Sequence, residues 1–237
     1  TLGGSYDQPG YEHAWRKLLF NQFHDILPGS SIREVYIDAT ETHTEARLMG
    51  NHLLNDALRS IALRVNTSSL TKGAPLVVFN PLSWERTDVV TFSLPSSGGD
   101  EYAVYESGGK EVPSQTIKAD RYNPEILFIA ENVPSLGYKT FVLRNTKPSP
   151  TVSSVKVTST VIENSSFRIT VDRDSGWVKS IIDLRNNRQL LSGPGNELQL
   201  LEDKPSAWDA WNIGLTGVKF PSTFRGAEIV ESGPVRA

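Results

Sequence analysis

The residues able to do chemistry are few. The chain has four histidines, His13, His24, His43 and His52, and no cysteine, which excludes disulfides and thiolate metal sites and leaves His, Asp or Glu to hold any metal. Of the four, only His24 has an acidic neighbour, Asp25, with a Pro28-Gly29 turn directly after it. A neutral imidazole is the commonest metal ligand, and an adjacent carboxylate can serve the metal, a sugar hydroxyl or the orientation of the ring. The structural alternative is a histidine near a helix end bonded to the backbone. Asp172, Asp174, Asp183, Glu202, Asp203 and Asp209 are expected at turns and strand ends, where carboxylates cap backbone amides. Trp208 and Trp211 have planes that match the apolar face of a pyranose, but packing in a core or between domains is the commoner fate of tryptophan.

The elements that must position these groups change character along the chain. Between Tyr11 and Arg64 the only glycines are Gly29 and Gly50 and the only proline is Pro28, a pattern that predicts two helices separated near Pro28. In the second, Ile32, Val35, Tyr36, Ala39, Ala46, Met49, Leu53, Ala57 and Ile61 recur near the 3.6-residue period, so one face is buried and His43 and His52 are expected on the solvated one. Ser30 or Ser31 followed by Glu34 reads as an N-cap with a capping box. From Ala74 onward short β-branched and aromatic runs predict strands at Leu76–Phe79, Val89–Leu94, Tyr102–Tyr105, Ile126–Ile129 and Lys139–Leu143. Turns are expected at Pro95–Asp100 and Ser107–Lys110. Asn145–Ser154, with Pro148 and Pro150, reads as a linker. Beyond it, Val155–Val161, Phe167–Val171 and Val178–Ile182 read as a second set of strands, with a hairpin turn at Asp174-Ser175-Gly176. Ala227–Val230 and Pro234–Ala237 read as a strand and the beginning of another, which suggests that the chain stops inside a β-domain.

Composition bounds the rest. With 237 residues, 38% hydrophobic and 22% charged, the chain can build one large domain or two ordinary ones. A net charge of −3 and a pI near 5.8 give no field for nucleic acid. No stretch approaches the roughly 20 apolar residues of a membrane span, and no export signal is visible at Thr1–Gly10. The lack of cysteine fits a reducing compartment, so a cytoplasmic location is expected. The triplets Asn66-Thr67-Ser68 and Asn164-Ser165-Ser166 have the N-glycosylation pattern, which arises often by chance and means little without secretion.

The longer string Asn21-Gln22-Phe23-His24-Asp25-Ile26-Leu27-Pro28-Gly29-Ser30-Ser31-Ile32 resembles the second metal-ligand motif of family 38 glycoside hydrolases, the retaining α-mannosidases, in the branch with cytosolic, vacuolar and bacterial enzymes. The likeness continues in order. Trp15 precedes the motif, and Val78-Phe79-Asn80-Pro81-Leu82-Ser83-Trp84-Glu85-Arg86 looks like the family's first strand after its helical bundle. Asn164–Ile182, with Asp174 to Trp177, and Leu201–Pro205 leading into Trp208-Asp209-Ala210-Trp211-Asn212-Ile213 are similar to its large sandwich domain. The resemblance implies an α+β multidomain, mainly β chain: a helical middle-domain segment at 1–65, a small β-sandwich at 66–147 and the truncated start of a large β-sandwich at 148–237.

By the same resemblance His24 is a ligand of zinc, or of another divalent metal, and Asp25 bonds hydroxyls of the bound mannose. A retaining glycosidase also needs two carboxylates about 5–5.5 Å apart. In the family these, with the remaining zinc ligands and a His-x-Asp pair, lie in an α/β barrel N-terminal to the bundle. No His-x-Asp occurs in this sequence and no histidine precedes His13. The expectation is therefore a fragment without catalytic residues of its own, inactive alone, whose partners are an α-mannoside or oligosaccharide and the missing barrel, with no nucleic acid and no membrane. Apolar surface left bare by that barrel makes a homo-oligomer a further expectation. The rival class is a non-catalytic carbohydrate-binding or interaction module built on the sandwiches.

Overall fold

The computed structural model describes residues 6–70, 72–94, 101–118, 124–151 and 153–237. Two compact units result, one of residues 67–199 and 221–237, the other of residues 1–66 and 200–220.

In the first unit, seven strands form a sandwich: β1 (Ala74–Asn80), β2 (Arg86–Ser93), β3 (Tyr102–Glu106), β4 (Glu111–Val112), β5 (Ser114–Lys118), β6 (Pro124–Val133) and β7 (Gly137–Asn145). One sheet runs β1-β7-β3-β4 and the other β2-β6-β5, antiparallel throughout. Alternation along β6 puts Ile126, Phe128 and Ala130 into one core with Leu76, Val104, Val112, Phe141 and Leu143. Phe128 meets Phe141 edge-on at 5.1 Å, the arrangement ring quadrupoles favour. The short strands β4 and β5 do not stand out in the sequence, because Pro113 divides them and Ser114 and Gln115 are polar. Pairing with β3 and β6 makes them strands.

The Asn80–Trp84 string has a structural role of its own. Asn80 is buried, its Nδ2 lies 2.7 Å from the carbonyl of Trp84 and 3.1 Å from those of Val133 and Pro134, and its Oδ1 accepts from the amide of Leu82 at 3.1 Å. One amide thus stitches the β1–β2 turn to the end of β6.

A third sheet in this unit has the order β12-β11-β10-β9-β8, from β8 (Lys156–Val157), β9 (Val161–Glu163), β10 (Phe167–Val171), β11 (Val178–Asp183) and β12 (Arg188–Gln189). The run expected as one strand at Val155–Val161 is broken by a turn, in which the Thr158 hydroxyl accepts from the amides of Thr160 and Val161. The hairpin turn before β11 is present: Asp172 Oδ1 accepts from the amides of Asp174 and Ser175 at 3.0 Å, and Gly176 has φ +74°. Pro95–Asp100 lies outside the described residues. Within the expected linker, Ser149 gives its amide and its hydroxyl to Glu111, each at 2.6 Å, which ties the irregular segment down and lowers the Glu111 pKa.

The strands expected at Ala227–Val230 and Pro234–Ala237 do not form; residues 221–237 are irregular. Their backbone groups find side chains instead of a ladder. Gln115 Oε1 accepts from the amides of Val235 and Arg236, and the Ser153 hydroxyl donates to the Gly233 carbonyl.

The other unit pairs α1 (Gln8–Phe20) with α2 (Arg33–Ala62) and adds a hairpin of β13 (Leu200–Asp203) and β14 (Leu215–Phe220). Asp7 caps α1 by accepting from the amide of Gly10, and Pro9 sits in its first turn, where a missing N–H costs nothing. The face predicted for α2 packs in part: Ala39 and Leu53 are fully buried, whereas Ile32 and Ala57 of the expected stripe are exposed. Asn21 Nδ2 reaches the Ala39 carbonyl at 3.4 Å, and Glu45 takes Lys17 at 2.8 Å and His13 at 2.9 Å across the pair. The capping box at Ser30 or Ser31 is not formed. The N-cap of α2 is Ile32 with no side-chain bond, because both serine hydroxyls are drawn backward into the turn described next.

Candidate functional site

His24 and Asp25 stand on the turn between α1 and α2. The turn is made by local bonds: the amides of Ile26 and Leu27 donate to the Phe23 carbonyl and that of Gly29 to Ile26, with Gly29 at φ +85°, a conformation that favours glycine. Three side chains then fasten it. The Asp25 carbonyl accepts from the hydroxyls of Ser31 at 2.8 Å, Tyr36 at 3.2 Å and Ser30 at 3.4 Å, and the Tyr36 oxygen in turn accepts from the amide of Ser31 at 2.9 Å. Tyr36 comes from the first turns of α2, so the helix itself holds the turn in shape.

The side-chain ends of His24 and Asp25 are left free to act. The His24 side chain is 76% exposed, with its ring against Phe23 at 4.2 Å. Its Nε2 lies 3.4 Å from Asp25 Oδ2, while Ser30 donates to Asp25 Oδ1 at 3.3 Å. A carboxylate has about four lone-pair positions, so Asp25 keeps acceptor capacity for a ligand. The donor set suits one corner of a divalent site, but no group of three or more metal-binding side chains occurs among the described residues. Two donors do not build the four-coordinate shell that zinc takes. His43 and His52 are exposed on α2 as expected; His52 lies 3.5 Å from Asp56, and His43 borders an apolar groove with Trp15, Leu18 and Leu53.

The hairpin contributes to the same unit. Trp211 Nε1 donates to the Ser30 carbonyl at 3.1 Å. Trp208 and Trp211 stack with centroids 6.3 Å apart and planes 26° apart, and both are largely exposed. Neither ring is therefore buried in a core of this chain. Sequence reasoning also missed Ser30, Ser31 and Tyr36: the serines had an equally good local reading as caps, and the tyrosine fitted the apolar stripe of α2.

Of the expected capping carboxylates, Asp172, Asp183 and Asp203 accept from backbone amides, whereas Glu202 takes the side chains of Thr216 and Lys204. Asp183 receives Arg185 and Asn186, which lower its pKa to about 2. Bonds from Lys204 and Thr216 lower that of Glu202, and Asp203 accepts from the amide of Gly214.

Comparison with known proteins places this geometry. Residues 1–61 match the alpha mannosidase middle domain, and residues 162–237 match the glycosyl hydrolases family 38 C-terminal domain. The chain belongs to glycoside hydrolase family 38. Among curated relatives, alpha-mannosidase 2C1 of Mus musculus is 27% identical over 88% of this chain, and alpha-mannosidase G of Dictyostelium discoideum 25% identical over 98%. The chain spans 18% and 23% of their respective lengths. The crystal structure of an alpha-mannosidase from Enterococcus faecalis V583 shares the fold, with TM-score 0.61 and 22% identity over 78% of this chain and 25% of that one. The His24–Asp25 turn falls within the first family 38 match and the tryptophan pair within the second. No helix among the described residues is long and apolar enough to cross a membrane.

Proposed function

We propose that this chain supplies part of the substrate site of a retaining α-mannosidase that removes terminal α-mannosyl groups. The observation that carries the reading is the exposed His24 imidazole beside Asp25 on a turn braced by Tyr36, Ser30 and Ser31, within residues matched to the alpha mannosidase middle domain. His24 gives one nitrogen to a zinc or similar divalent ion, and Asp25 accepts from mannose hydroxyls through its unused lone pairs. Such an ion, when bound, grips vicinal hydroxyls of the sugar and favours a distorted ring.

The remaining metal ligands, the nucleophile and the acid/base group come from an N-terminal barrel, so the chain alone is inactive. Retention needs two carboxylates flanking the scissile bond, and the turn offers Asp25 alone. The cysteine-free composition fits a cytoplasmic setting for the whole enzyme.

The test is hydrolysis of nitrophenyl α-mannoside in the presence of zinc, by the chain alone and by the chain joined to its barrel. Turnover is expected only from the joined protein. His24→Ala lowers it by about 100-fold or more and Asp25→Ala by about 10- to 100-fold, the range seen when metal-site groups are removed. A joined enzyme indifferent to His24→Ala would leave the histidine a structural residue. A joined protein with no turnover at all would favour the carbohydrate-binding module.

A further inference from the structure

Of the exposed tryptophans, two lie together. Trp208 is 73% exposed and Trp211 66%, and they stack on one another. The loop that carries them is strained and deliberately held. Trp208 has φ +57°, the left-handed region that a bulky side chain adopts only when its surroundings impose it. The imposing bonds are visible: the amides of Trp211 and Asn212 both donate to the Trp208 carbonyl at 2.8 Å, and Asn212 Nδ2 donates to the Ala207 carbonyl at 2.9 Å. At the loop's end only glycine fits, since a Cβ on Gly214 would lie 2.6 Å from Pro205 Cα.

The polar edge of Trp211 is spent inside the unit, on the Ser30 carbonyl, so what the residue offers outward is its apolar face. Ser30 is also the residue whose hydroxyl reaches Asp25 Oδ1. A fixed aromatic pair is therefore one residue removed from the proposed sugar ligand. Aromatic planes bury the C–H face of a pyranose and tolerate its ring of hydroxyls at the edge.

We propose that Trp208 and Trp211 form a stacking platform for the second pyranose ring of an α-linked oligomannoside, the ring next to the one engaged by Asp25. This rests on the mannoside reading above. The platform makes the site prefer oligosaccharides to simple glycosides, and it belongs to the hairpin unit rather than to any group that cuts the bond.

The experiment is a titration of the 15N-labelled protein with α-linked mannotriose, followed by the indole N–H resonances of its five tryptophans. The Trp208 and Trp211 signals are expected to shift along one saturable curve. Those of Trp15 and Trp84, exposed by 57% and 59%, serve as controls and stay in place. Trp208→Ala weakens the response of Trp211 about tenfold, and Trp208→Phe, which keeps a ring, restores most of it. Shifts of equal size at Trp15 and Trp84, or none at Trp208 and Trp211 up to roughly 20 mM sugar, well above a millimolar Kd, would overturn the platform. Because the readout is binding, it is separate from the hydrolysis assay: the platform stands if the indoles respond in a protein that never cleaves, and falls if they are silent in one that does.

Discussion

The sandwich of β1 to β7 and the helix pair α1–α2 bury apolar side chains to very different degrees. Phe128 and Phe141 are 0% exposed, whereas Trp15, Phe20, Phe23 and Leu27 on and beside the helices are 55% exposed or more. The sandwich closes on itself because each of its two sheets has a face to offer the other. Two helices touch along a single seam, and an apolar stripe wider than that seam stays in water. Stability is therefore concentrated in the part of the molecule that carries no candidate ligand, and His24 and Asp25 stand on the part with the thinner core. A site on such a unit depends on local fastening, which is what Tyr36, Ser30 and Ser31 provide.

The largest expected effect tests the closed half of that contrast. Phe128→Ala removes a fully buried ring and should destabilise the sandwich by about 3–5 kcal/mol, as aromatic-to-alanine changes in packed cores do, read as a lower urea midpoint. A cost near zero would mean that the core does not hold this region together.

An intermediate effect concerns acid. Asp183 belongs to the same unit, and its folded pKa is depressed from 3.8 to about 2, chiefly by Arg185 and then by Asn186. A carboxyl depressed on folding stabilises above its unfolded pKa and loses that contribution as the pH falls through the folded one. The wild type should thus lose stability between about pH 4 and pH 2, followed by circular dichroism, and Asp183→Asn should flatten that part of the profile. An unchanged acid limb would show that the pair with Arg185 does not contribute.

The smallest effect tests the open half. Phe20→Ala, at a residue 74% exposed, should change the unfolding free energy by less than about 0.5 kcal/mol. A loss comparable to that at Phe128 would show that the α1 face is covered in solution.

How much of this was legible in the sequence follows the same divide. Strands with alternating apolar residues, such as β6 and β7, and the two helices are written in local periodicity. What is not local was not legible. The short β4 and β5 exist because of the strands they pair with, and the β-branched residues near Ile229 have no partner ladder and stay irregular. At the candidate site, His24 and Asp25 announce themselves by type and adjacency. The bond from Trp211 to Ser30 could not be foreseen, since nothing in either segment names the other.

That bond has a consequence for how the molecule comes together. Trp211 and Ser30 are 181 residues apart in sequence, and residues 67–199 of the stretch between them belong to the other compact unit. Closing so long a loop of unstructured chain costs entropy that grows with the logarithm of its length, and a contact so distant forms late. Folding of residues 67–199 takes most of that length out of the flexible chain, so the bond from Trp211 to Ser30 is expected to form after the other unit.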